Sequence, residues 1–273
     1  MKQQPMARPV DDEPGPVPPE PIEPDEIKGP IGAYYRKLGG ASWGHPLSYG
    51  RTFSGGEYVS FALPGQRRFF MAIFWSPRTG AHVLKEAIFT PWLRGGDKIV
   101  GHPTSDHLKT HDGGGAWQTF ERGNYVWHPT TGAHEVHGDI LTRYGQLGGS
   151  AWGYPTTDET GTPDKRGRFN HFRNVANGGE LSIYWTPETG AHELFGYIRR
   201  AWMSYKGEGS LGYPTSGEMA THDGVGRWQT FEGGIYVWHP DTGAHEVHGD
   251  ILTRYGQLGG SAWGYPITDE GDA

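Results

Sequence analysis

The chain has 273 residues, a net charge of −7 and a hydrophobic content of 34%. Glycine (45) and proline (21) together make up about 24%, roughly twice their usual share, which argues against long helices and for many short strands and turns. The absence of cysteine excludes disulfides, thiolate metal sites and cysteine nucleophiles, and no apolar run nears the ~20 residues of a membrane helix.

Residues 1–26 come first in chain order. They hold eight prolines, no aromatic residue, and two basic against seven acidic side chains. Such a segment cannot bury enough apolar surface to offset its ordering entropy, so it is predicted to be a disordered, semi-stiff acidic linker. Met1–Pro9 lacks the apolar core of a signal peptide, which leaves export by another route or a leader ahead of Met1. The remaining residues carry only −2 and no basic stripe, which speaks against a nucleic-acid partner.

From residue 27 onward the chain repeats. Thr-Gly-Ala-His occurs at 79–82, 131–134, 189–192 and 242–245, and Gly-(His/Tyr)-Pro at 44–46, 101–103, 153–155, 212–214 and 264–266. The spacings, 52–59 residues, define about five modules in a single domain, 27–273. Residues 117–159 and 228–270 differ at only four positions, so one pair of modules looks duplicated.

Within one module, Trp117–Phe120 and Tyr125–Trp127 read as short strands, and His128–Gly132 as a turn with Pro129 and Gly132 at its bends. Ala133–Val136 is a third strand. Asp139 is the expected N-cap of a short helix, Ile140–Leu147, whose Ile140, Tyr144 and Leu147 share one face. Gly148-Gly149 stops it, and Trp152-Gly-Tyr-Pro155 turns the corner into the next module. A unit this small needs its neighbours to cover its apolar face. An open solenoid would need polar caps at its ends, and no terminal module looks like one, so the predicted fold is mainly β: a closed, propeller-like ring of short hairpin blades, each with a short helix and a Gly-x-Pro corner. The array opens and ends on the same half-module, so either five corners enclose four blades or a hairpin is missing.

The module resembles the LGFP repeat. The residues that carry the likeness are Leu211-Gly-Tyr-Pro214, Trp152-Gly-Tyr-Pro155 and Trp263-Gly-Tyr-Pro266, with Trp43-Gly-His-Pro46 and Val100-Gly-His-Pro103 more diverged. Tyr or His replaces the usual Phe. Gly234-Ile-Tyr-Val-Trp238 followed by Thr242-Gly-Ala-His245 matches the tail of the repeat. The resemblance implies a secreted or cell-envelope protein of actinobacteria, beside cell-wall hydrolases or acyltransferases, that holds its partner on envelope glycan.

Several chemical motifs fall within this repeat. Gly40-Ala-Ser42-Trp-Gly44 matches a hydrolase elbow, but a helix precedes it where a strand is required. His134 with His137, and His245 with His248, space as H-x-x-H, yet no third metal ligand converges. The recurring His134 and His245 fit a structural hydrogen bond at a strand start better than a ligand contact. Asp158 and Asp269, each followed by Glu, fit turn or cap residues better than catalytic carboxylates. Trp75, Trp127, Trp185 and Trp238 fit core packing. Trp43, Trp152 and Trp263, with Tyr154, Tyr213 and Tyr265, sit in glycine-rich corners beside polar residues; they fit packing between modules, and equally a site where flat rings stack on sugar faces while Asp158, Asp269, His134 and His245 bond hydroxyls.

Two functions follow as expectations. One is a non-enzymatic, lectin-like carbohydrate-binding module for cell-wall polysaccharide, multiplied by avidity and joined through the acidic linker to an enzyme or larger secreted assembly. The other is a structural or protein-interaction subunit that docks a partner through the repeat. No cofactor, metal, nucleic acid or membrane span is expected.

Overall fold

The computed structural model describes residues 22–52 and 55–270. They form four separate antiparallel sheets, each a run of hairpins in simple sequential order. The first joins His45–Arg51, Glu57–Ala62, Phe69–Ser76 and Gly80–Lys85. The second joins Leu108–Lys109, Ala116–Thr119, Gly123–His128 and Gly132–His137. The third joins Thr160–Gly161, Arg168–Arg173, Glu180–Thr186 and Gly190–Phe195, with Tyr154–Pro155 also paired to Arg168–Arg173. The fourth repeats the second with Met219–Ala220, Arg227–Thr230, Gly234–His239 and Gly243–His248.

Local sequence explains these elements. In the second sheet Trp117 pairs with Val126 and Gln118 with Tyr125, so alternate residues face inward. Gly132 takes φ +86° in the turn, a conformation only glycine adopts without strain. The corner helix runs Gly138–Gln146, one turn-end earlier than predicted. Gly138, at φ +55°, lets the chain pass straight from strand to helix, so His137 and not Asp139 is the N-cap. Asp139 instead accepts the indole N–H of Trp185 from the next sheet at 2.8 Å. Gly148, at φ +101°, ends the helix as the sequence predicts.

Corner helices alternate with sheets. Gly138–Gln146 lies between the second and third sheets, where Ile140 and Tyr144 meet Val126, Val136, Phe172, Leu181 and Ile183. Gly196–Ser204 does the same between the third and fourth, through Ile198 and Trp202. Between the first and second sheets the helix is broken: Glu86–Pro91 continues through Trp92–Gly96 to Asp97–Ile99, with Pro91 inside and Gly95 at φ +143°. Gly29–Leu38 covers the first sheet, and Gly249–Gln257 follows the fourth.

The N-terminal end is capped. Ile22 packs on the first core cluster, and Ile27 is completely buried beside Ile31 and Tyr35. Pro24–Glu26 forms a 3-10 turn, closed by the Glu23 N–H to the Glu26 carboxylate at 3.1 Å. The predicted linker, 1–26, is therefore replaced by docked chain from residue 22; its first 21 residues lie outside the described residues. The expected ring is also not found: among the described residues no sheet closes and the four sheets stay separate.

Candidate functional site

The corner tyrosines act as pegs. The Tyr154 hydroxyl donates to Asp112 Oδ1 (2.6 Å) and lies 2.8 Å from Thr110 Oγ1, both of the preceding module. Tyr213 repeats this with Thr162 (2.7 Å) and Asp164 (2.6 Å), and Tyr265 with Thr221 (2.9 Å) and Asp223 (2.7 Å). Burial and the bond to Asp112 push the Tyr154 hydroxyl up to about 12, while the bond from Tyr154 holds the Asp112 carboxyl well below the usual range. Gly115, Gly167 and Gly226 make room for the rings: a Cβ on each would lie 2.7–2.8 Å from the tyrosine. Tyr154 and Tyr213 are fully buried. Neither ring offers a free face to a sugar, because the next module needs it as packing; Tyr265 alone of the three is partly open.

The predicted His and Asp residues meet in pairs. His134 Nδ1 lies 3.1 Å from Asp158 Oδ1, and its Nε2 3.0 Å from the Thr131 carbonyl. His245 stands the same way between Asp269 (3.1 Å) and the Thr242 carbonyl (2.8 Å). Each aspartate also accepts a backbone N–H, from Glu135 or Glu246, at 3.2 Å. The bond from His134 holds the Asp158 carboxyl low. These pairs tie the end of one corner to the last strand before it. Ser42 donates to the Gly39 carbonyl at 2.7 Å and so caps a helix end. Among the described residues no three His, Asp or Glu side chains are grouped to hold a metal.

The corner tryptophans differ with position. Trp43 packs edge-on to Phe61 at 5.2 Å and Trp152 against Phe172 at 5.3 Å, both half-buried. Trp263 is 66% exposed. Trp152 borders an open cleft of about 920 Å³, whose walls include Asn174, Asn177, Glu180, Arg199 and Arg200. The loop from Asn174 to Gly179 belongs to the longer third module, and its turn is held by Asn174 and Asn177 side chains on backbone N–H groups. Tyr197 stands at the cleft edge, stacked on Trp238 at 4.9 Å and 4° with Arg200 over its ring. A second cleft, about 560 Å³, is formed by Trp263, Tyr265, Ile267, Asp269 and Glu270.

Sequence reasoning missed the buried polar residues that join modules. Gln118, Asn170 and Gln229 are completely buried. Asn170 donates to the carbonyls of Glu135 (3.1 Å) and Thr157 (2.9 Å), and both glutamines make the matching bonds. Glu135, Glu193 and Glu246 are buried too. Glu193 takes the guanidinium of Arg143 at 2.7 Å, and Glu159 that of Arg168. Burial, then the charge of Glu159, pushes Glu135 up to about 7, but its depth keeps it from any substrate. The signal was present in the strand period: Trp117 packed toward the following corner helix puts Gln118 on the opposite face, toward the preceding sheet.

A family model for the LGFP repeat matches residues 100–151, 153–210 and 211–262. Comparison with curated proteins finds no match. Among solved structures, hydrazine synthase of Kuenenia stuttgartiensis is 8% identical with a TM-score of 0.17, over 75% of this chain and 54% of that one. The extracellular domain of a hybrid two-component system from B. thetaiotaomicron is 9% identical with a TM-score of 0.17, over 77% of this chain and 34% of that one. The chain thus spans about half and a third of those proteins, and likeness at this level carries no argument.

Proposed function

The chain belongs to the LGFP-repeat family, and from that premise we propose that it is a non-enzymatic carbohydrate-binding module that anchors to actinobacterial cell-wall polysaccharide outside the cell. The observation that carries this reading is the cleft at Trp152. A half-open indole face is bordered there by two asparagines, a glutamate and two arginines. Aromatic faces stack on the C–H faces of sugars, and amides and guanidinia bond hydroxyls or acidic substituents. Weak sites of this kind gain strength by avidity when several act on one polymer, or when the module is joined to an enzyme or secreted assembly. His134, Asp158, Tyr154 and Tyr213 serve as scaffold in this reading, and Trp43, Trp152, Trp263 and Tyr265 are the rings left to contact sugar.

The test is retention of the chain on purified actinobacterial cell walls, with a glycan array in parallel. Saturable binding that a defined sugar competes away, and that Trp152→Ala weakens at least about tenfold, supports the reading. Absence of retention on walls and glycans refutes it.

A further inference from the structure

The duplicated segments share a hollow away from the corner tryptophans. In the second module it lies between the sheet and its own corner helix, holds about 370 Å³, and is walled by Trp117, Val126, Leu141 and Tyr144. Gly145 of the helix stands at its side, where a Cβ would meet no heavy atom within 4 Å. The fourth module repeats the hollow at about 330 Å³ with Trp228, Val237, Leu252, Tyr255 and Gly256. The third sheet is in place against the second module, yet the first hollow stays open, and every wall of it comes from the second module itself. Its opening therefore owes nothing to a missing neighbour.

The other two modules fill the same place with their own side chains. In the third, Phe169 pairs with Tyr184 as Trp117 pairs with Val126. The Tyr184 ring stacks on Phe169 (5.1 Å, 22°), and its hydroxyl donates to Sδ of Met203 at 3.5 Å. Met203 holds the place in its helix that Gly145 holds in the second module. In the first module Phe74 replaces the valine and packs on Trp92 at 5.1 Å. The fold itself thus displays what the hollow takes: a flat ring against the aromatic residue, with an apolar group beside it. Where valine and glycine stand instead, that volume is left for a ligand, at the low end of the roughly 300–1,000 Å³ usual for small-molecule sites.

Rim and wall differ in chemistry. At the rim Ser150 Oγ lies 3.2 Å from His111 Nδ1, and Ser261 Oγ 3.1 Å from His222 Nδ1; Asn124 adds an amide to the first hollow. Such groups bond sugar hydroxyls. Val126, Leu141 and Gly145 present no polar side chain, so a hydroxyl pressed on them would lose its water without gaining a partner, whereas the methyl of an acyl group would not. Ile235, in the place of Asn124, keeps the second hollow apolar.

We infer that the two hollows are subsites for an acylated sugar residue, whose ring stacks on Trp117 or Trp228 and whose acyl group lies against the valine and leucine. The inference rests on the carbohydrate reading and deepens it by naming the sugar class. Matching subsites on alternate modules suit a polymer that carries such residues repeatedly.

Two double variants test it by copying the third module. Gly145→Met with Gly256→Met copies Met203, and Val126→Tyr with Val237→Tyr copies Tyr184. Methionine is a better helix former than glycine, so the first pair should leave Tm unchanged or raised. The probes are purified actinobacterial cell walls, the same walls after mild alkali has removed ester-linked acyl groups, and the β-1,4-linked tetramers of N-acetylglucosamine and of glucose. Each double variant should weaken wall binding at least about tenfold. The parent should either prefer the acetylated tetramer or lose wall binding after alkali, which places the acyl group on nitrogen or on oxygen. Parent wall binding that both double variants leave unchanged overturns the subsites while the carbohydrate reading stands. Weakening by the variants with no dependence on acyl groups overturns the acylated class. Absence of retention on walls and glycans removes the carbohydrate reading, and this inference with it.

Discussion

The duplicated segments allow one substitution to be made twice in nearly the same sequence. Ile140→Ala and Ile251→Ala remove the same atoms from the same helix, Gly138–Gln146 in one case and Gly249–Gln257 in the other. Ile140 is buried against Phe172, Leu181 and Ile183, so its loss removes about 0.8 kcal/mol per methylene and leaves a cavity between two sheets. The better helix propensity of alanine returns a few tenths of a kcal/mol. The expected net cost is about 2–4 kcal/mol, or roughly 5–12 °C in Tm for a chain of this size. Ile251 already has more than half its surface in water, and its truncation should change stability by less than about 0.5 kcal/mol. Urea unfolding, followed by tryptophan fluorescence at submicromolar protein, measures both. Equal losses at the two positions would refute the account of what buries the corner.

Two further outcomes are expected. Glu135, raised to about 7 in the folded state, holds a proton that the unfolded chain gives up near its ordinary carboxylate value. Its contribution to stability is therefore complete at low pH and is lost as pH rises through 7, so Glu135→Gln should match the parent near pH 4–5 and exceed it near pH 8 by about 1–3 kcal/mol. Unfolding at the two pH values checks this, and a difference that does not vary with pH contradicts it. Asn170→Ala leaves the buried carbonyls of Glu135 and Thr157 without their amide, at a cost of about 1–3 kcal/mol. Hydrogen exchange should then quicken at the junction of the second and third sheets while the first sheet stays protected; uniform quickening contradicts a local clamp.

Much of the module was legible because it rests on local rules. The strand pair around Gly123, the turn at Gly132 and the helix stop at Gly148 follow from period and backbone freedom, and they appear where the sequence places them. The helix start was misread because Gly138 removes the need for a side-chain cap, which frees Asp139 for Trp185 of the next sheet. The sequence leaves the corner tyrosines open between packing and sugar contact because nothing in Gly-Tyr-Pro says that a turn forty residues earlier, Thr110 to Asp112, receives the hydroxyl.

The sequence alone determined the repeat, its strands and turns, and the residues that can face inward, since these depend on neighbours a few positions away. Whether an inward face is covered was decided only by tertiary structure. Tyr154 and Tyr265 occupy matching places in nearly identical segments, yet one is fully buried and the other is not. Burial belongs to the module that arrives next, and a residue does not encode its own neighbour across a corner. That is why Trp152 became a cleft wall and Trp263 an open surface from the same Trp-Gly-Tyr-Pro string.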